Sequence, residues 1–107
     1  MNARGVSGAR LGASWSLIEL APRRTVWGSA EPGRPTLHVR FDAAGPDQPV
    51  VSFAGTTAVI TVRTSGTDDG VAAVDRLSGE IAVHDIGLGR RMYELGRAVR
   101  AWAGRAE

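Results

Sequence analysis

The residues in this chain that could carry chemistry are two histidines and an arginine-rich segment near the C-terminus. His38 stands beside Arg40 and Asp42, and His84 beside Asp85. A histidine held by a carboxylate is the usual form of a general base with its orienting partner. Both histidines fall in segments that read as strands, where successive side chains point to opposite faces, so His84 and Asp85 do not pair directly. His38 and Asp42 share a face but lie about 13 Å apart at the rise of a strand. No catalytic residue is therefore expected, and the reading leans away from an enzyme. His38, Arg40 and His84 are kept as candidate binding positions.

Arg90, Arg91, Arg97 and Arg100 form the second candidate. Guanidinium groups on one helix face can bind the phosphates of nucleic acid or lipid. Against this stand a net charge of only +2 and the place of Trp102 in the apolar stripe, where it is not interleaved with the arginines. Nucleic acid is accordingly not the expected partner, and weak anionic binding by this helix is carried as an alternative. Lysine is absent and all 13 basic residues are arginine. Such usage, with abundant Ala, Gly and Val, reads first as coding bias.

Other motifs fail on spacing. Gly87-Leu88-Gly89-Arg90 sits at a junction into a helix, where amides could cradle a phosphate. A dinucleotide fingerprint also needs a following strand and an acidic residue about 20 positions later, and neither follows. Asp68-Asp69 lacks the alternating oxygen ligands of a calcium loop, and no Gly-x-Ser-x-Gly elbow occurs. The absence of cysteine removes disulfides, thiolate nucleophiles and cysteine metal sites. With only two histidines, no metal and no cofactor is expected. No apolar run approaches the roughly 20 residues of a membrane helix, and the first thirty residues hold no signal-peptide core, so a cytoplasmic location with no membrane span is expected.

The elements that must position these residues are mostly strands. Residues 1–13 carry three glycines and no apolar period and read as a flexible arm, leaving 14–107 as a single domain. Ser14 to Ala21 has apolar residues on both parities. Thr25 to Trp27 is a short second strand, closed by a turn at Glu31-Pro32-Gly33-Arg34-Pro35. Thr36 to Asp42 alternates Leu37, Val39 and Phe41 with His38, Arg40 and Asp42, giving one dry face and one wet. Val50 to Ala54 and the β-branched Thr57 to Thr64 follow, joined at Gly55-Thr56 by a turn or a bulge.

Ser65 to Gly70 reads as a polar turn. Val71 to Leu77 and Glu80 to Ile86 flank Ser78-Gly79 and are expected to form a hairpin, with a short helix over Val71–Leu77 as the alternative. From about Leu88 to Gly104, Leu88, Met92, Leu95, Val99, Trp102 and Ala106 make one apolar stripe of helical period, with Arg90, Arg91, Glu94, Arg97, Arg100 and Arg105 opposite it. Gly96 beside the stripe suggests close approach of this helix to a sheet. Trp102→Ala is expected to cost about 3–5 kcal/mol as a core deletion.

The expected fold is α+β, mainly β: an antiparallel sheet or partly closed barrel of six to seven strands, covered by one C-terminal amphipathic helix. Charge falls in blocks, +4 over residues 1–40, −5 over 41–87 and +3 over 88–107. The functional expectation is a small non-enzymatic protein–protein interaction domain of adaptor, inhibitor or immunity type. Because a small sheet must blunt or pair its edges, self-association as a homodimer is part of it. One alternative is a small-molecule-binding or cyclase-like β-barrel, its cavity lined by Trp15, Trp27, Phe41 and Phe53 with His38 or His84 as the polar group.

Overall fold

In a computed structural model of the chain, residues 15–64 and 66–106 are described, apart from the side chains of Arg105 and Ala106. The expected flexible arm, residues 1–13, lies outside the described residues. The chain divides into two compact units, Met1–Thr64 and Ser65–Glu107.

The first unit is a five-stranded sheet of β1 (Trp15–Ala21), β2 (Arg24–Ser29), β3 (Thr36–Asp42), β4 (Val50–Ala54) and β5 (Thr57–Arg63), ordered β1-β2-β3-β5-β4. Its turns arise from local chemistry. Between β2 and β3, Pro32 supplies the fixed φ of a turn's second residue and Gly33 takes φ +76°, while the Arg34 N–H donates to the Glu31 carbonyl at 3.1 Å. Between β4 and β5, Gly55 takes φ +63° and Ala54 pairs with Thr57, so Gly55-Thr56 is a two-residue turn.

β1, β2 and β3 are antiparallel neighbours, but β3 and β5 are parallel, with Thr36 opposite Thr57 and Asp42 opposite Arg63. The sheet is therefore mixed and open, with five strands where six or seven, all antiparallel, were expected. A parallel return needs about a dozen residues or more. Here β4 serves as that crossover: the chain leaves β3, passes one position further out as β4, and turns back at Gly55 to insert β5 between them. The loop before β4 is held from both ends. Asp42 accepts the Ala44 N–H at 2.9 Å, and the Arg63 guanidinium donates to Asp47 at 2.8 Å and to the Gly45 carbonyl at 3.3 Å.

Pairing register puts Trp27, Leu37, Val39, Phe41, Ile60 and Val62 on one face, and all six are buried, Val39 completely. Full burial of each aliphatic or aromatic side chain is worth roughly 1.5–3 kcal/mol, so this face dominates the stability of the sheet. A bulge at Ile18 shifts the β1 register between Leu17 and Glu19. An extra residue in a ladder reverses the facing of every residue beyond it on that strand. Leu20 thus returns to the side of Leu17, which explains the apolar residues on both parities of this segment.

The second unit is a helical pair, α1 (Thr67–Ala82) and α2 (Ile86–Ala106). The expected hairpin over residues 71–86 does not form, and the single terminal helix becomes two. Gly70, Val71, Val74 and Ser78 are buried at helical spacing, with Ala73 beside them. Asp68 and Asp69 stand in the first turn, where the helix dipole favours negative charge. Ser78, the supposed hairpin loop, lies inside α1 and turns its hydroxyl back to the Asp75 carbonyl at 2.8 Å. Asp85 caps α2 by accepting the Leu88 N–H at 3.0 Å.

Two glycines seven residues apart on α2 meet α1. A Cβ on Gly89 would lie 2.6 Å from Ala82 Cβ and 2.9 Å from the Ser78 carbonyl oxygen. One on Gly96 would lie 3.2 Å from an Asp75 carboxylate oxygen and 3.7 Å from Val74 Cγ1. Later residues of α2 thus meet earlier residues of α1, so the two run antiparallel. Gly96 serves close approach to α1, where close approach to a sheet was expected.

Candidate functional site

The candidate residues stand on β3 in the sheet unit and, in the helical unit, in the turn before α2 and along α2 itself. His38 and Arg40 lie half-buried on the polar face of β3, opposite the buried face. His38 lies against Gly28 of β2: a Cβ there would be 3.3 Å from His38 Cδ2 and 3.3 Å from Ile18 Cδ1. Glycine at 28 leaves room for the imidazole to lie on the neighbouring strand. Arg40 pairs in register with Val26 and Thr61, and its buried Nε has no hydrogen-bond partner among the described residues. His84 is not on a strand. It occupies the exposed turn between α1 and α2, its N–H donating to the Ile81 carbonyl at 2.9 Å.

Trp27 and Phe41 are buried on one face of the sheet, His38 projects from the other, and Phe53 is 74% exposed on β4. Pairing register sets Trp15, Trp27, Phe41 and Phe53 on one face of the sheet, and His38 of β3 on the other. Among the described residues no three His, Asp or Glu side chains are placed to hold a metal ion. No helix among them is long and apolar enough to cross a membrane.

The arginines of α2 separate into two classes. Arg90, Arg97 and Arg100 are exposed, whereas Arg91 is 4% exposed and Glu94 9%. The last two were expected on the solvated face. At 100° per residue Arg91 lies about 40° from Leu95, and the buried arc runs from Gly96 and Gly89 through Met92, Val99 and Leu95 to Arg91 and Glu94. That arc covers more than half the helix, wider than a single stripe. Met92 and Leu95 are fully enclosed, while Leu88 and Trp102 are only half-buried.

Two features were missed in the sequence. Tyr93, 52% exposed, stands among the outward arginines. Its spacing of three from Arg90 and four from Arg97 is legible in the sequence. The other is β4, Val50-Val51-Ser52-Phe53-Ala54, exposed at every position. A strand on a sheet edge lacks a neighbour on one side, and no local pattern reveals which strand will be outermost. At the opposite edge, β1 carries the Ile18 bulge and a 2.7 Å ion pair between Glu19 and Arg24 of β2.

Comparison with protein-family models, curated protein sequences and solved structures finds no match to this chain.

Proposed function

We propose that this chain is a non-enzymatic protein–protein interaction domain, of adaptor, inhibitor or immunity type, that works through the edge of β4 and takes a second copy of itself as partner. The carrying observation is the exposure of all five residues of an apolar, uncharged edge strand, with Val50 48%, Val51 56% and Phe53 74% exposed. An edge left flat and apolar is a template for strand addition, which natural sheets otherwise block with charges, bulges or proline.

The sequence of β4 favours its own copy. Antiparallel pairing centred on Ser52 sets Val51 opposite Phe53 of the partner subunit and Val50 opposite Ala54 of the partner subunit, with no charge facing a like charge. Aromatic and β-branched cross-strand pairs contribute roughly 0.2–1 kcal/mol each, in addition to the backbone bonds. The cytoplasmic location expected from the cysteine-free sequence stays part of this proposal.

The test is solution mass by sedimentation equilibrium, with Val51→Lys in β4 and Ile18→Lys in β1 as paired variants. A concentration-dependent dimer that Val51→Lys dissociates and Ile18→Lys leaves intact supports the reading. A strict monomer, or a dimer indifferent to Val51→Lys, removes self-pairing through β4.

A further inference from the structure

The exposed face of α2 has a composition that self-pairing through β4 does not use. Arg90, Tyr93, Arg97 and Arg100 follow one another at spacings of three, four and three. At 100° per residue they fall within an arc of about 80°. All four are exposed. None of the three arginines makes an ion pair among the described residues, whereas Arg24, Arg34 and Arg63 of the sheet unit each do. Glu94, the only acidic residue within α2, is withdrawn from this face at 9% exposure. What remains is an unneutralised cationic stripe with one aromatic ring set into it.

We propose that this stripe binds single-stranded nucleic acid, the three guanidinium groups taking phosphates and the Tyr93 ring stacking a base. From Arg90 to Arg100 the helix rises about 15 Å at 1.5 Å per residue. An extended single strand spaces its phosphates more widely than the rise of about 3.4 Å in a duplex strand, so over that distance three arginines meet a comparable number of phosphates. Single strands are held by a positive track combined with aromatic platforms, because every base offers a π-face. A duplex hides those faces and leaves Tyr93 without a role.

Two other polyanions fit the stripe less well. A helix that binds an anionic bilayer inserts its apolar face, and here Met92, Leu95 and Val99 are buried within the fold. An acidic peptide would use the arginines but not the exposed ring. Net charge of only +2 and the buried position expected for Trp102 argued against nucleic acid from sequence. The stripe needs neither, since its charge is local and its aromatic is Tyr93.

The experiment is fluorescence anisotropy on the full chain at about 50 mM salt with a labelled short oligothymidylate, compared with its duplex, vesicles of mixed phosphatidylserine and phosphatidylcholine, and poly-glutamate. The oligothymidylate should bind best. With three phosphates neutralised, log K should fall against log salt with a slope of about −2, or roughly 20-fold between 50 and 200 mM. The triple variant Arg90→Gln, Arg97→Gln, Arg100→Gln should abolish binding. Tyr93→Ala should weaken it about 5-fold or more, whereas Tyr93→Phe should retain it, because stacking needs the ring and not the hydroxyl.

No binding by the unaltered chain, equal or tighter binding of duplex, vesicles or poly-glutamate, or an unchanged affinity in the triple variant would each overturn the proposal. The result on the unaltered chain decides even if a variant fails to fold. The stripe uses the helical unit alone, so a monomeric chain that binds the oligonucleotide would refute self-pairing and leave this site standing.

Discussion

The sheet unit and the helical unit deal with apolar surface in different ways. In the sheet, burial is confined to the central strands: Val39 is completely enclosed, while β4 at the edge leaves Phe53 74% exposed. In the helical pair, Gly89 and Gly96 let the backbones come close, and Val74, Met92 and Leu95 are all fully enclosed. What the pair shows to solvent along one face of α2 is charge. A sheet extends only by adding a strand, so its last strand has an open side whatever its composition. Two helices can close on each other when glycine removes the side chain at the crossing. Apolar exposure in β4 is therefore a candidate for association, whereas in the helical pair Val74, Met92 and Leu95 are committed to folding and the exposed Val83 and Ile86 flank the turn between the helices.

Four substitutions would break or sharpen this contrast, all read as shifts in urea unfolding of the full chain followed by circular dichroism. The largest effect is expected for Met92→Ala, at about 2–5 kcal/mol, since a fully buried side chain is removed. It replaces Trp102 as the main core probe, because half-burial of that ring takes Trp102→Ala below the cost of a full core deletion. Gly89→Ala should cost about 1–3 kcal/mol by overpacking, because the new methyl meets backbone atoms that have little room to move. No loss there would show that the helices are not sealed by that glycine.

Gly79→Ala should have the opposite sign. Gly79 lies in α1 with nothing within 4 Å of a built Cβ, so alanine should gain about 0.5–1 kcal/mol from helix propensity alone. A loss would place an unseen neighbour against α1. Phe53→Lys should change monomer stability least, within about 0.5 kcal/mol, as for an exposed position. At a chain concentration low enough to keep the protein monomeric, a loss above about 1 kcal/mol would mean that Phe53 is folding surface, and the contrast between the units would fail.

Much of the sheet is legible in the sequence. β3 and β4 take the bounds expected from alternation, and Glu31-Pro32-Gly33-Arg34 makes the turn its proline and glycine favour. α1 was not recognised, because Ser78-Gly79 carries the composition of a hairpin loop. The helical spacing of Val71, Val74 and Ser78 outweighs it once α2 buries that side of α1. Asp85 sits in a segment that alternates like a strand, yet an aspartate just before a helical run is a capping signal, and it caps α2. Of the candidate residues, Arg90, Arg97 and Arg100 keep an accessible face, Arg91 is buried, His38 and Arg40 share a face of β3, and His84 stands in the turn before α2.

By itself the sequence determined the strands of the sheet, the turn at Glu31-Pro32-Gly33-Arg34 and the period of α2, because alternation, proline and glycine act over a few residues. Only the tertiary structure decided that β5 inserts between β3 and β4, that β4 becomes an open edge, and that Glu94 leaves the face where Arg90, Tyr93, Arg97 and Arg100 remain. Those outcomes depend on contacts between residues far apart in the chain, whose free energies no local pattern encodes. The same is true of Gly89, which looks like any turn glycine until Ala82 is found against it.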